Sequence, residues 1–344
     1  MFRSFALAPL ALLLAAATVS TPTLAEPAPQ TLSALAPGAL KLLPLELTAF
    51  GDFRYKMSRG RADHFEIGSV ELDSALTLSP HVMVSAALAY NPDGDSFGLG
   101  AFTVDGSLFG PEEKHLVKTD LVDDSGVIFG KFDVPFGIAY LEYPATENRF
   151  VALPDAVMAT HGGWNDLGTQ AYITTTHFEG TAYLVNGKSL EDERANALGK
   201  TAKHAWGGRF GVKPVEALTL GASFAKVMGT LDTPLFGADL SATLGPVALK
   251  NEYIYRSSAH TRCVHAYYVE ALAHHSVLFG GTRYETTYTG REGVDHAVGV
   301  TFGAEVFPQA EIRLAHLRTL ETGAETTFLQ LVGGSIWQPT GLRR

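Results

Sequence analysis

The sequence predicts an all-β chain, a transmembrane antiparallel β-barrel of about sixteen strands, and three observations predict it. Long segments alternate apolar and polar residues with period two. After the N-terminus, no apolar run approaches the roughly 18 residues that a membrane helix needs, although the chain is mildly apolar throughout. Short connections between segments alternate with longer, more polar ones.

The strand signal starts at Leu45. One face carries Leu45, Leu47, Ala49, Gly51, Phe53, Tyr55 and Met57, and the other Glu46, Thr48, Phe50, Asp52, Arg54 and Lys56. That is the side-chain period of a strand, over a length suited to a tilted membrane crossing. Val70, Leu72, Leu76 and Leu78 oppose Glu71, Asp73 and Thr77 in the next segment. Near the other end, Val298, Val300, Phe302, Ala304 and Val306 alternate with Gly299, Thr301, Gly303 and Glu305. The same reading places strands at 45–57, 64–78, 81–91, 96–108, 125–133, 166–176, 178–187 and 204–214. It continues with 216–229, 235–244, 246–257, 263–273, 276–287, 293–306, 309–319 and 325–337. An even count is what single-chain bacterial barrels require.

The connections test this independently. Ser79-Pro80, His177, Lys213-Pro214-Val215, Leu244-Gly245-Pro246, His274-His275 and Phe307-Pro308-Gln309 are short. The alternate connections are longer: 58–63, 92–95, 134–165, 188–203, 230–234, 258–262, 288–292 and 320–324. Barrels carry short turns on the periplasmic side and longer loops outside. Residues 109–124 break the rhythm, either as a periplasmic insertion or because His115 to Leu121 adds a strand.

Composition agrees. The chain has 344 residues, with 35 Gly, 20 Phe and 12 Tyr, 18% charged residues and a formal net charge of -10. Mean hydropathy is +0.09. The negative charge argues against a nucleic-acid partner. Cys263 is the single cysteine, so no intrachain disulfide stabilises the domain, and a closed barrel supplies stability by pairing every strand. No Cys and His spacing resembles a metal site. No catalytic constellation emerges either, since His204 and His265 fall in different strands without a Ser or Asp partner. The sequence therefore implies no cofactor and no enzyme.

The first residues read as an export signal. Arg3 precedes an apolar run from Phe5 to Val19, and Thr23-Leu24-Ala25 fits a cleavage site. The expected organisation is a signal peptide at 1–25, a Pro/Ala/Leu-rich periplasmic segment at 26–44, a barrel at 45–337 and a tail at 338–344. The expected location is the outer membrane of a Gram-negative-type cell.

Gly130-Lys131-Phe132-Asp133-Val134-Pro135-Phe136-Gly137 stands at the end of the fifth strand, before the longest connection. It resembles the Gly-Lys-Phe-x-x-Pro-Phe-Gly segment of the phosphate-selective porin O and P family. Arg149 to Ala156 and Gly163 to Gln170 are similar to that family as well, as is Gly51-Asp52-Phe53-Arg54-Tyr55. The likeness covers 45–175. It implies a porin whose long loop folds into the pore and narrows it, and a trimer. Independently of the resemblance, Gly130 and Gly137 permit bending where wall meets loop. Pro135 stops ladder pairing, and Phe132 and Phe136 anchor the loop root.

Two features depart from the family. The chain runs on past Trp337, where such barrels end on an aromatic residue, usually Phe. The family's phosphate-specific members line the constriction with Lys, whereas loop 134–165 holds Arg149 as its one basic residue against Glu142, Glu147 and Asp155, with Asp166 just beyond.

The function expected is passive diffusion of small hydrophilic solutes or ions through a water-filled pore, with lumen and loop charges setting selectivity. Alternation assigns to the lumen Asp52, Arg54, Lys56, Glu71, Asp73, Lys131, Lys250, Glu252, Arg256, Arg283, Glu285, Glu305 and Arg313. Glu142, Glu147, Arg149 and Asp155 come near the path from the loop. Tyr55, Tyr90, Tyr253, Tyr255, Tyr284, Phe302 and Trp337 are expected against lipid. The alternatives are a structural or adhesive barrel with a closed lumen, or a phosphate- or anion-specific uptake channel.

Overall fold

A computed structural model describes residues 45–92, 95–108, 122–190, 201–230, 232–257, 263–290 and 293–337. The expected signal peptide, N-terminal segment and C-terminal tail lie outside the described residues. Sixteen strands form one sheet: β1 (Leu45–Ser58), β2 (His64–Ser79), β3 (Val82–Asn91), β4 (Ser96–Ser107), β5 (Asp124–Asp133), β6 (Asn165–Thr174), β7 (Phe178–Val185) and β8 (Ala202–Val215), followed by β9 (Leu218–Gly229), β10 (Thr233–Leu244), β11 (Val247–Arg256), β12 (Val264–His275), β13 (Leu278–Thr289), β14 (Val294–Phe307), β15 (Ala310–Thr319) and β16 (Glu325–Trp337). Each pairs antiparallel with its chain neighbours, and β1 closes on β16 from Leu47 opposite Trp337 to Ser58 opposite Thr326. Closure is what makes a sheet viable in hydrocarbon, where an unpaired backbone group costs several kcal/mol.

β4 pairs directly with β5, from Phe102 opposite Lys131 to Ser107 opposite Gly126. No strand is inserted between them in the sheet. Residues 109–121 lie outside the described set.

The wall alternates as the period predicts. Phe53, Phe65, Phe129, Leu167, Phe210, Phe236, Phe302 and Leu331 are exposed on the outside. So large an apolar surface suits lipid and would drive aggregation in water. Toward the end carrying the long connections, Trp206, Phe224, Phe236, Tyr255, His265 and Tyr288 touch in an unbroken row of rings across six strands. Rings at this level form the girdle where hydrocarbon meets headgroups.

Asp52 sits opposite a bulge in β2. The register passes from Gly51 opposite Val70 to Phe53 opposite Ile67, so Gly68 and Ser69 share one position. The Asp52 carboxylate accepts the Ser69 amide at 2.5 Å and pairs with Arg54. A Cβ on Gly68 would overlap both side chains.

The interior is divided. On the β7–β12 side, Tyr183, Val227, Leu235, Ile254 and Tyr268 point inward and are buried against the long loop. The inner wall of β2–β4 instead carries small residues such as Ala75, Ser85, Ala87 and Ala101. Large side chains fill one half of the barrel and small ones leave the other half open.

Candidate pore constriction

Residues 134–164, between β5 and β6, cross the lumen. The strand ends where Pro135 removes a ladder donor. Val134 and Phe136 are fully buried, packed in one cluster with Phe132, Val157, Trp164 and Ile254. Gly137 takes φ +66°, a left-handed conformation that suits glycine. Its amide donates to Ser223 Oγ at 3.0 Å, and a Cβ there would overlap the Glu252 carboxylate. Gly130 has φ +136° and lies against the Phe102 carbonyl, where a Cβ has no room.

From this root the loop is fastened to the inner wall at successive points. Glu142 pairs with Lys250 on β11. Arg313 on β15 donates to the carbonyls of Ala145 at 2.6 Å, Asn148 at 2.9 Å and Thr146 at 3.0 Å. Thr301 Oγ1 donates to the Arg149 carbonyl at 2.7 Å. Arg283 on β13 donates to the Ala152 carbonyl at 2.9 Å and stacks over Phe150, while the Ala156 amide donates to Glu285 at 3.3 Å. α1 (Asp155–Met158) is a single turn on β12 and β13. Arg256 donates to the Thr160 carbonyl at 2.8 Å before the chain returns to β6. Buried cations binding loop carbonyls satisfy both sides of a contact that would be costly half-made.

These arginines are also neutralised by carboxylates. Arg283 Nε lies 2.5 Å from Glu270, with Glu285 at 3.5 Å. Arg313 meets Glu311 at 2.7 Å, and Arg209 lies between Glu179 and Asp239. Arg149 bonds Glu311 at 3.0 Å and loop carbonyls, so it is folded against the wall rather than extended into the path.

Most expected site residues therefore face the lumen, but in two different situations. Glu252, Arg256, Arg283, Glu285 and Arg313 lie beneath the loop, buried. Asp52 is buried in the wall network of β1, while Arg54 and Lys56 reach toward Glu66. Asp73, Glu147 and Glu305 border open space. Lys131 corrects the expectation. It lies opposite Phe102 and Leu167, both exposed on the outer wall, and its ammonium bonds the Leu99 carbonyl at 2.5 Å. Phe129 and Val127 are exposed on that same face, so period two sends Lys131 outward with them. Strand alternation could also have found Glu270, Glu311, Arg209, Asp239 and Gln330. The loop carbonyls that Arg256, Arg283 and Arg313 bind have no sequence signature.

Open cavities lie on both sides of the loop. One of about 550 Å³, toward the short turns, is bounded by Pro144, Glu147, Thr48, Asp73, Glu305 and Gly334 among others. Another of about 270 Å³ runs along β1–β4 past Glu46, Glu71 and Asp73. Toward the long connections, cavities of about 220 Å³ and about 360 Å³ are bordered by Asp155 and Glu285. Among the described residues, no group of His, Cys, Asp and Glu could hold a metal ion.

Burial raises the Glu142 and Asp155 carboxyls above their ordinary range, against the pull of Lys250 and Arg283 respectively. Burial beside Phe136, with Arg256 adding to it, pushes His161 down to about 3. Among the described residues its Nε2 has no hydrogen-bond partner. In the unfolded chain the imidazole takes up a proton below about 6.5, while the native one does not. The stability this group contributes is complete above that pH and falls as pH drops toward 3. The His161→Phe variant should lose less of its melting temperature between pH 7.5 and 4.5 in detergent than the parent. An equal loss in both proteins would exclude His161 as a source of the acid sensitivity.

No family model and no curated protein matches the sequence. Solved structures do match the fold. The anion-selective porin from Comamonas acidovorans aligns with TM-score 0.61 at 11% identity, over 85% of this chain and 99% of that one. OmpT of Vibrio cholerae, in vitro folded and described as a trimer form, gives 0.58 at 11% identity over 85% and 99%. OmpF of Salmonella typhi in complex with daunomycin gives 0.61 at 8% over 85% and 97%. The sixteen-stranded closed barrel thus shares its fold with these solved outer-membrane proteins, porins among them. The narrower likeness to the phosphate-selective O and P family has no family match behind it.

Proposed function

We propose that this chain is exported by its N-terminal signal, inserts in the outer membrane and serves as a passive pore for small hydrophilic solutes, with a preference for cations. The observation that carries this reading is the half-open interior. The loop fills the lumen along β7–β15, and space remains along β1–β4 and between the loop edge and the β1–β16 seam. A barrel closed by its own side chains would lack that space.

The sign of the preference follows from where the charges go. Arg149, Arg209, Arg283 and Arg313 are each held by carboxylates, and Lys250 by Glu142. Glu46, Glu71, Asp73, Glu147 and Glu305 border the cavities. A low-permittivity wall focuses their field into the path. This argues against phosphate or another anion as the preferred solute. A three-fold assembly belongs to the same reading, by analogy with the trimer form of the similar OmpT, and its mass in detergent would test it.

The decisive measurement is conductance of purified protein in planar bilayers, with reversal potential in a potassium chloride gradient. Stepwise conductance with a potential of cation-preferring sign is expected. A silent bilayer would sink the pore reading, and an anion-preferring sign would overturn the charge argument alone.

A further inference from the structure

We infer that Arg313 is the residue that sets the width of the constriction, by position rather than by charge. The inference rests on the pore reading above and assigns its aperture to one side chain.

Arg313 is 0% exposed, yet it belongs to a strand of the wall and reaches the loop edge that borders the cavity of about 550 Å³. Its guanidinium gathers three carbonyls from four consecutive loop residues, Ala145, Thr146 and Asn148, at 2.6 to 3.0 Å. Three carbonyls converging on one planar fork define where that segment sits. The segment begins eight residues beyond Gly137 along the loop, so the packed root does not determine its position unaided.

The fork is itself held from behind. Glu311 accepts from Nε at 2.8 Å and from Nη2 at 2.7 Å. Gln330 Oε1 on β16 lies 3.4 Å from Nη1, and Gln330 Nε2 donates to Asp52 on β1 at 2.7 Å. The contact therefore spans β15, β16 and β1, across the seam where first and last strands meet. The loop edge is tied to that seam, so its distance from the opposite wall follows from barrel closure. Because Glu311 and the carbonyls surround the guanidinium, its charge is spent on the protein and not on permeating ions.

Lysine separates position from charge. It keeps the charge but presents donors from a single point, so it cannot gather the three carbonyls. Arg313→Ala and Arg313→Lys are both expected to raise single-channel conductance and to shift the polyethylene glycol exclusion limit toward larger polymers, with the larger shift for alanine. The reversal potential of Arg313→Lys should stay that of the parent. Gln330→Leu, which leaves Arg313 in place but frees one side of it, should shift the limit in the same direction by less. It carries the test if Arg313→Ala does not fold, as judged by heat-modifiable migration. An unchanged exclusion limit in Arg313→Lys would overturn the inference, as would a limit that moves in Arg313→Ala and is restored by lysine. A parent protein that does not conduct would instead dismiss the pore reading.

Discussion

Replacing Gly137 by alanine is expected to unseat the root of the constriction loop. The φ of +66° at this position costs an L-residue roughly 1–2 kcal/mol. The added Cβ would overlap the Glu252 carboxylate. That carboxylate has little freedom to yield, since its Oε2 accepts Tyr268 Oη at 2.9 Å and the Ile138 amide at 3.5 Å within a buried site. Overpacking of a filled interior adds about 1–3 kcal/mol, so the total is about 3 kcal/mol. The effect should be local, because all sixteen strand pairings lie outside the loop. Folded barrels should still form, with a lower melting temperature and with current that flickers as the loop leaves its seat. A variant with parental melting temperature and quiet current would show that the root does not hold the loop. Phe136, buried beside Gly137, makes the same seat from the apolar side.

Neutralising the acidic pair on β2 is expected to have the largest effect on selectivity. In the double variant Glu71→Gln and Asp73→Asn, both changes keep side-chain volume and remove the negative charge shared by this hydrogen-bonded carboxyl pair from the cavity along β1–β4. A unit charge 4 Å from a permeating ion is worth about 1 kcal/mol even at the permittivity of water. The cation-to-anion permeability ratio should therefore fall by about fivefold or more, while the polymer exclusion limit stays unchanged. High salt should shrink the difference between variant and parent by screening. A ratio that does not move would place the permeation path elsewhere in the lumen.

The sheet was legible because its signal is local. Side-chain direction in a strand depends on residue parity, and the outer wall faces a solvent that accepts only apolar groups. Val298, Val300 and Phe302 therefore announce their strand and its outward face together. The strand expected at 309–319 spans Ala310–Thr319, and that at 293–306 spans Val294–Phe307. Pro135 and Gly137 likewise marked the point where wall becomes loop. Lys131 departs from that legibility, because its charge suits the lumen while its neighbours on the same face of the strand point outward. The exposed Phe129, two residues earlier, fixes its side.

Parity could establish that Arg283 and Arg313 face inward, but not whether they meet water or protein. That depends on the path of residues 134–164, which carry no periodicity and are held by arginine contacts to backbone carbonyls. A carbonyl is present at every residue, so such contacts leave no mark in the sequence. What the sequence by itself determined is a membrane barrel of about sixteen strands, most of its inner and outer faces, and a long loop after β5. Only the tertiary structure decided that the loop lies along the β7–β15 wall, that it covers Glu252, Arg256, Arg283 and Arg313, and that Glu71 and Asp73 remain beside open space. The physical reason is the difference in range. Strand pairing and lipid exposure act on each residue where it stands, whereas burial of a lumenal charge is decided by a segment about a hundred residues away or more.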